Sequence, residues 1–589
     1  MLRLGNPIPR RFRDFRPRVK AVAAGLALAL LVLAGRAVDL QVRRQEELSR
    51  LAARQSQRLI NVKGRRGPIL DRNGGQLALS LRADSFFARP AQVEHPAQTA
   101  YRLARALDLP ADKLEERLRA DQPFVWIKRR ATAQESAAVQ ALDLPGIGST
   151  REYLRVYPNR AFAAALLGFT GVDTQGLEGL EYAYDSYIKG ADGLQVVDRD
   201  ALGRTLITSD AGHFTGGGSI RLTIDPAIQL IAEQEVARAV AQHEADVGIA
   251  IVIGSRTGEV LAIAQYPAFN PNDYAAADKE AFFNRAVTNG YEPGSTFKVI
   301  TAAAALEEKV VTPDTLVFCE NGAFEHYDSV IHDTEPHGWL NLAGILRVSS
   351  NICAAKVGLM IPQGVFREYI RRFGLGTRTG LYEAPDGRRL AGEADGYVPA
   401  KWTPVDQAAI SFGHGVLVSP LQMVMAANVI ATGGELLRPI LVGEIRDERG
   451  RLVERARRRV VGRVVSKATA ATVRDYMTAV TQEGGTGVRA AVPGFAVAGK
   501  TGTTEKYEFE ARGYSKTKQI ASFVGFVPAE DAALTILVVV EDPKRGRYGS
   551  LAAAPVFREI AQRALPLLGI WPKEGVRRMD AAALKTAAQ

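Results

Sequence analysis

Glu292-Pro293-Gly294-Ser295-Thr296-Phe297-Lys298 leads directly into the apolar run 299–306, so a Pro-Gly turn precedes the start of a predicted buried helix. Residues three apart share one face of a helix, which would bring the Ser295 hydroxyl and the Lys298 amine together at the helix start. Free backbone N–H groups and the helix dipole favour negative charge there. The stretch therefore predicts a nucleophile beside its base, with the catalytic part of the chain folded around them.

A lysine can take the proton of a serine only when its amine is uncharged. Its reference pKa of about 10.4 must then fall by roughly three units, which corresponds to about 4 kcal/mol. Burial together with a second cation nearby can supply a shift of that size. Lys500 is the predicted second cation for Lys298.

Two further short motifs follow in a fixed order, Ser349-Ser350-Asn351 and Lys500-Thr501-Gly502-Thr503. With Ser295–Lys298 they form the S-x-x-K, S-x-N, K-T-G set of serine acyl-transfer enzymes. Each motif alone also has an ordinary structural interpretation as a helix start, a helix cap or a strand end. A second S-x-x-K copy, Ser515–Lys518, lies among charged residues, and we expect a solvated loop there.

The third motif suits a substrate carboxylate. Gly502 would let a substrate backbone approach closely, and Lys500 with the Thr501 and Thr503 hydroxyls can hold a carboxylate. In the second motif, Ser349 offers a hydroxyl for proton relay and Asn351 an amide that both donates and accepts.

Five apolar, β-branched segments predict one antiparallel sheet. Helices are expected mostly between the second of these segments and Lys500, and distant strands that enclose a helical insertion indicate an α+β domain with one central sheet. The active site is expected between the sheet edge at Lys500 and the helices that carry Ser295 and Ser349. The five segments are 248–253, 260–265, 495–499 (ending at the third motif), 520–527 and 534–540.

The N-terminus predicts a membrane anchor. Seven basic residues precede the long apolar stretch and suit the cytoplasmic, positive-inside flank of a membrane helix. The uncharged run 21–35 is short, but Lys20 and Arg36 can snorkel and extend the span to 19–40, enough for a bilayer core of about 30 Å. A cleavable signal peptide is the competing interpretation, although 35–38 is a poor cleavage site. A nucleic-acid-binding arm is disfavoured because the apolar helix follows at once.

The 589 residues exceed one ordinary domain, so two or three folded units are expected. The stretch before the glycine run at 216–218 offers no nucleophile–base constellation, and we interpret it as an elongated, mixed α/β pedestal for partner docking. The predicted segments are a cytoplasmic basic tail (1–18), an anchor (19–40), the non-catalytic pedestal (41–217), the catalytic domain (218–570) and a loosely ordered tail (571–589).

The cysteines and histidines show no metal-binding spacing, and no cofactor or metal site is predicted. We interpret Cys319 and Cys353 as two separate thiols, with a disulfide in an oxidising periplasm as the less favoured alternative. Three histidines, His326, His332 and His337, are expected to lie in a loop and to be solvated or locally bonded. His414, which lies between two glycines, is a weaker candidate for a residue that lines the cleft.

Longer motifs make the chain resemble the class B penicillin-binding proteins, the membrane-anchored D,D-transpeptidases of bacterial cell walls. The likeness runs from the N-terminus to about Pro566. The second motif, Ser-Ser-Asn in place of Ser-x-Asp, and the lack of add-on repeats after Pro566 make the chain most similar to the division-type enzymes. The matching segments are Arg66-Gly67-Pro68-Ile69-Leu70-Asp71-Arg72-Asn73-Gly74, Arg155-Val156-Tyr157-Pro158, Gly176-Leu177-Glu178-Gly179-Leu180-Glu181, Asn284-Arg285-Ala286 and Gly484-Gly485-Thr486-Gly487.

The resemblance implies roles for the first two motifs. Ser295 attacks the carbonyl of the penultimate D-alanine of a stem peptide and becomes acylated, with Lys298 as general base. Ser349 helps pass a proton to the departing D-alanine, and Asn351 orients Lys298 and the substrate amide.

For the third motif, the resemblance implies that Lys500 polarises this network. Thr501 and Thr503 hold the terminal carboxylate, with Gly502 between them. The backbone N–H groups of Ser295 and Thr503 form the oxyanion hole.

An amine from a neighbouring stem peptide then attacks the acyl-enzyme and forms a cross-link, and penicillins acylate the same serine. The implied partners are stem peptides ending in D-Ala-D-Ala, β-lactams, a lipid-linked-precursor polymerase with other division proteins, and the cytoplasmic membrane, with the catalytic domain outside it; no nucleic acid is expected. An elongation-type transpeptidase, a β-lactamase or β-lactam-sensing receptor, and an idle scaffold are the alternatives. The acceptor amine, diaminopimelate or lysine, stays open.

Overall fold

The structure is a computed structural model that describes residues 15–62, 64–199, 205–209, 216–383, 392–508 and 513–572. The chain divides into two compact units, one formed by residues 1–63 with 192–215 and the other by 64–191 with 216–589. Most of the predicted tails, 1–18 and 571–589, lies outside the described residues.

The first unit contains the apolar helix that the sequence predicts. Helix Phe15–Val38 continues into a π-helical turn, Asp39–Arg43, and helix Gln45–Ser56 follows. Over residues 16–43 the chain is long and apolar enough to cross a membrane, with a mean hydropathy of 2.2 over an 18-residue window and none of that window buried. The helix therefore fits a single-pass anchor at 19–40. Strands Gln57–Val62, Gly193–Arg199 and Thr205–Ser209 form an antiparallel sheet in the same unit.

A seven-stranded sheet is the framework of the non-catalytic part of the second unit. Its long strand Gln76–Ala88 pairs antiparallel with Val125–Ala131 and Ile147–Val156. The mixture of strands and helices predicted for this region is present, but the sheet also recruits strands from beyond the predicted boundary at 217. The other strands are Ile69–Leu70, Ser219–Leu222, Val442–Arg446 and Leu452–Arg455, and the helices are Pro96–Leu107, Ala111–Leu118, Ala133–Gln140, Ala164–Leu167, Gly179–Ala183 and Asp185–Ile188.

Three of the longer sequence motifs meet in a buried group of charges, which we call the ion cluster (Arg66, Arg155 and Glu181). Glu181 accepts from Arg66 Nε and, at 2.6 Å, from Arg155 Nε, and the Tyr157 hydroxyl donates to it at 3.2 Å. Arg66 also pairs with Asp185. Although burial opposes it, Glu181 and Asp185 raise the pKa of Arg66. The cluster therefore connects distant motifs of the non-catalytic part through buried ion pairs.

The catalytic part is built on the predicted five-stranded antiparallel sheet, in which the first hairpin lies at one edge and the third motif at the other. Strand Val247–Gly254 is buried on both faces: Ile249 and Ile251 face the core beneath the helical insertion, while Ala250 and Val252 face the core beneath two flanking helices, Pro226–His243 and Ala554–Leu567. The strands in order across the sheet are Val260–Tyr266, Val247–Gly254, Leu534–Glu541, Gly513–Val527 and Ala498–Glu508.

The helical insertion carries the first two motifs. A 3₁₀ turn, Gly294–Phe297, runs into the Lys298 helix, Lys298–Glu307, and the second motif lies between helix Leu342–Val348 and the Asn351 helix, Asn351–Met360. The other described elements of the insertion are the helices Arg285–Thr288, Gln363–Arg372, Pro404–Ser411, Pro420–Ala431 and Lys467–Val480 and the strands Val317–Phe318, Ala323–His326, Ser329–His332, Trp339–Leu340, Glu435–Leu437 and Val460–Arg463; helix Gly549–Ala552 follows the sheet.

Two predictions for the insertion are wrong. Cys319 and Cys353 are joined by a disulfide, with their Cα atoms 5.0 Å apart, because the segment around Cys319 packs against the Asn351 helix. The stretch that was expected to be a loop with solvated histidines contains a regular hairpin, Ala323–His326 with Ser329–His332. The disulfide has no local sequence signal, since it joins residues 34 apart in the chain. The hairpin strands are joined by only Tyr327 and Asp328, a pair without the glycine that usually marks a two-residue turn.

Candidate active site

The nucleophile and base of the first motif lie in contact. The Lys298 Nζ atom is 2.9 Å from the Ser295 Oγ atom. Ser295 lies in the 3₁₀ turn before the helix, and side chains three residues apart eclipse one another in that geometry. The positive φ of Gly294, 54°, lets the chain turn sharply at this point. The predicted pair is therefore present, set by a tighter turn than an α-helix start.

The surroundings of Lys298 direct its lone pair. Its amine donates to the Ser349 carbonyl oxygen at 2.6 Å and to Asn351 Oδ1 at 2.7 Å. A neutral amine has two N–H groups and one lone pair, so these two acceptors can take both hydrogens and leave the lone pair for the Ser295 proton. Ser349 ends its helix with a positive φ of 65°, and this unusual conformation brings its carbonyl group to the amine.

The electrostatics of the site favour an uncharged Lys298. Its side chain is 1% exposed, and it has no ion-pair partner among the described residues. Burial, and then the neighbouring Lys500, lower the pKa of Lys298 well below its ordinary value, while Asp333 acts in the opposite direction. The amine can therefore act as a base at a pH at which a surface lysine is fully protonated.

Lys500 approaches the Ser349 hydroxyl from the sheet. Its Nζ atom is 2.9 Å from the Ser349 Oγ atom, which in turn lies 3.2 Å from Lys298 Nζ. Lys500 is fully buried, and burial lowers its pKa to about 7. The Ser349 hydroxyl therefore bridges two buried amines, an arrangement that can carry a proton between them and a substrate.

The third motif lies within strand Ala498–Glu508, not at a strand end as predicted, because pairing with the neighbouring strand continues to Glu508. The Thr501 and Thr486 hydroxyls are 2.8 Å apart, and the Thr503 hydroxyl accepts from the Gly549 N–H group at 3.0 Å. A Cβ atom at Gly502 would collide with the Ser522 hydroxyl and lie 3.1 Å from the Pro293 carbonyl oxygen. Glycine is needed here so that the strand can lie against the Ser295 turn.

An open cleft of about 500 Å³ lies over these motifs. His414, the weaker candidate, is among its lining residues; burial lowers the pKa of its imidazole to about 4. Its Nε2 atom lies 3.2 Å from the Thr504 hydroxyl. The predicted site residues that line the cleft are Ser295, Ser349, Asn351, Thr501 and Thr503, while the two lysines lie buried beneath it.

Sequence reasoning missed Asp333, which also lines the cleft. Its carboxylate accepts from the Asn351 N–H group and from the Ser350 hydroxyl, both at 2.5 Å. Asp333 precedes Asn351 by 18 residues and belongs to no recognised motif. Only the folding back of the hairpin brings the two together.

The second S-x-x-K copy is not an active site. Ser515 lies buried on strand Gly513–Val527, so the prediction of a solvated loop is wrong. Its Oγ atom accepts from the Lys518 backbone N–H group at 3.2 Å. Ser515 is buried while Lys518 is exposed, so the pattern does not bury an amine beside the hydroxyl as Ser295 and Lys298 do.

Comparison with known families agrees with this geometry. Residues 248–562 match the family described as penicillin binding protein transpeptidase domain, and residues 61–222 match the penicillin-binding protein dimerisation domain. The chain belongs to the penicillin-binding proteins. Because both domains are present in this order, behind an N-terminal apolar helix, this penicillin-binding protein is of class B.

Its relatives place it in the division type of that class. The chain is 33% identical to the peptidoglycan D,D-transpeptidase FtsI of Escherichia coli strain K12 over 93% of this chain and 91% of that protein. It is 32% identical to the probable peptidoglycan D,D-transpeptidase PenA of Neisseria meningitidis (strain Z2491) over 97% of this chain and 95% of that protein.

Solved structures share the fold. Penicillin-binding protein 3 from Mycobacterium tuberculosis, complexed with aztreonam, aligns with a TM-score of 0.68 and 26% identity over 88% of this chain and 99% of that one. Penicillin-binding protein 2X from Streptococcus thermophilus aligns with a TM-score of 0.72 and 24% identity over 87% of this chain and 80% of that one.

Proposed function

We propose that this penicillin-binding protein is a serine D,D-transpeptidase that cross-links peptidoglycan stem peptides during septal wall synthesis and is acylated by β-lactams. The observation that carries the proposal is the Lys298 amine, buried without an ion-pair partner among the described residues and 2.9 Å from the Ser295 hydroxyl. A serine activated by an uncharged lysine is suited to acyl transfer at neutral pH.

Acylation begins when Lys298 takes the Ser295 proton and the Oγ atom attacks the carbonyl carbon of the penultimate D-alanine. The negative charge that develops on the carbonyl oxygen is stabilised by the backbone N–H groups of Ser295 and Thr503. When the C–N bond breaks, the leaving nitrogen receives the proton from Lys298 through the Ser349 hydroxyl, which lies 3.2 Å from the amine. D-Alanine departs, and the acyl-enzyme remains.

The third motif binds the end of the donor peptide. Lys500, with its ammonium 2.9 Å from the Ser349 hydroxyl, polarises the relay, and the Thr501 and Thr503 hydroxyls bind the terminal carboxylate. An amine of a second stem peptide then attacks the ester carbonyl, gives its proton back through the same relay, and releases Ser295 with the new amide bond formed.

The N-terminal helix anchors the protein as a single-pass protein in the cytoplasmic membrane, with the basic N-terminus inside and the catalytic part in the periplasm. The basic flank and the Cys319–Cys353 disulfide support this orientation. The non-catalytic part, 41–217, docks division proteins, among them a polymerase of lipid-linked precursor. The catalytic domain extends from 218 to 570.

The test is covalent labelling of the full-length protein in detergent by a fluorescent penicillin. We expect wild type to form an adduct that persists for many minutes, and Ser295→Ala to form none because the nucleophile is lost. Ser515→Ala, in the second S-x-x-K copy, is the matched control and should label as wild type does.

Three outcomes would contradict the proposal. Labelling of Ser295→Ala would place the nucleophile elsewhere. Turnover of the wild-type adduct within seconds would indicate a β-lactamase. In that case Glu335 and Glu505, which line the cleft, would be the candidates for activating water. Normal septation in cells whose only copy carries Ser295→Ala would indicate a scaffold.

A further inference from the structure

Asp333 is a charged residue of the cleft wall that the mechanism above leaves without a role. It follows the hairpin strand Ser329–His332 and lies half-buried beside the start of the Asn351 helix. Its Oδ1 atom accepts from the backbone N–H groups of Asn351 at 2.5 Å and Ile352 at 3.0 Å, and its Oδ2 atom accepts from the Ser350 hydroxyl at 2.5 Å.

These bonds complete the first turn of the Asn351 helix, where four N–H groups lack partners within the helix itself. The Ser350 N–H group donates to the preceding helix at 3.2 Å, and that of Cys353 donates to the Ser350 hydroxyl at 3.1 Å. Asp333 takes the other two, from Asn351 and Ile352. A carboxylate at this position also interacts favourably with the helix dipole.

The hairpin also fixes the amide of Asn351. The Asn351 Nδ2 atom donates to the His332 carbonyl oxygen at 3.1 Å, which turns Oδ1 toward Lys298, 2.7 Å away. The residue next to His332 is Asp333, so one short segment holds both the backbone and the side chain of Asn351. Burial and Lys500 lower the pKa of Lys298, and Asp333 raises it.

We propose that Asp333 is a positioning residue for acylation: it holds Asn351, and through it the Lys298 amine, and it brings a negative charge to the surroundings of that amine. This inference rests on the proposed function of the same site. Lys500 faces Lys298 from the sheet, and the other titratable groups that line the cleft are Glu335, His337, His414, Glu505 and Tyr548.

Two variants separate position from charge. Asp333→Asn keeps an acceptor for the helix N–H groups but removes the charge, so Lys298 should lose its proton more readily, and the acidic limb of the acylation rate should move to lower pH. Asp333→Ala removes both, and we expect its plateau rate constant to fall by about ten- to a hundredfold because Asn351 loses its support. The measurement is the second-order rate constant for acylation of the full-length protein by a fluorescent penicillin as a function of pH.

Asp328→Asn is the matched control, since it removes the same charge from an exposed position at the tip of the hairpin and should leave the profile unchanged. The inference is overturned if both Asp333 variants keep the wild-type limb and plateau, or if they only lower the melting temperature. If wild type itself is not acylated, the proposed function fails instead.

Discussion

The active site and the ion cluster bury basic side chains to the same depth but give them opposite surroundings. Lys298 and Lys500 are at most 1% exposed, and no carboxylate pairs with either amine among the described residues. The side chains of Arg66 and Arg155 are at most 2% exposed, and both pair with the fully buried Glu181. Burial lowers the pKa of both lysines, whereas Glu181 and Asp185 raise the pKa of Arg66 against burial.

The difference follows from how a buried charge is compensated. Burial of a cation without a partner favours loss of its proton, and a lysine that has lost its proton can act as a base. Arginine cannot lose its proton in a protein, so it must be paired, and its planar group can bond a carboxylate through two or more N–H groups. Residue type and pairing therefore distinguish the active site from the ion cluster, whose role is structural.

The largest expected effect is on the acylation rate, and it comes from replacing Lys298, one of the two unpaired lysines. Lys298→Met removes the base but fills its space with an apolar chain, so acylation by penicillin should fall by at least about a thousandfold. The melting temperature should stay level or rise, because a desolvated amine is replaced by an apolar group. Lys356→Met is the control: that lysine is half-buried but paired with Glu320, so its loss should leave the acylation chemistry intact. Retained acylation of Lys298→Met at neutral pH would mean that another group is the base.

The next largest effect is on the free energy of unfolding, and it tests the paired charges of the ion cluster. Glu181→Ala leaves Arg155 buried without a carboxylate and Arg66 with Asp185 alone, and it should lower the free energy of unfolding by roughly 3–5 kcal/mol, measured by denaturant titration. Molecules that remain folded should be acylated at the wild-type rate. Glu178→Ala, which has no ion-pair partner among the described residues, should cost far less. Equal losses for the two variants would show that the ion cluster has no special structural role.

The smallest effect concerns only the shape of a pH profile. In the proposed mechanism acylation requires a neutral Lys298 and a charged Lys500, so the rate should rise as Lys298 loses its proton and fall as Lys500 loses its own, at about pH 7. Lys500→Arg stays charged, so the alkaline limb should move to higher pH whatever happens to the maximum rate. Lys506→Arg, on the same strand but paired with Glu541 at 3.1 Å, should not move it. An alkaline limb that is unchanged in Lys500→Arg would belong to another group.

Much of the catalytic part could be predicted from local patterns. Apolar segments predicted four of the five strands, whereas the predicted segment 495–499 overlaps strand Ala498–Glu508 at only two residues. The Pro-Gly turn before an apolar run indicated that Ser295 and Lys298, three residues apart, share one surface. Both patterns depend on neighbours within a few residues. Asp333, the Cys319–Cys353 bond and the strand position of Ser515 were missed or misjudged because each depends on a partner segment that no local pattern identifies.

By itself, the sequence determined which residues could do chemistry and in what order along the chain they occur, because serine, lysine and asparagine carry their donors and acceptors wherever they lie. Only the tertiary structure decided the pKa of each lysine. Burial beneath the cleft, 2.9 Å from Ser295, lowers the pKa of Lys298, and the return of the hairpin brings Asp333 to the start of the Asn351 helix. A pKa depends on solvent exclusion and on charges from distant segments, which become defined only when the chain has folded.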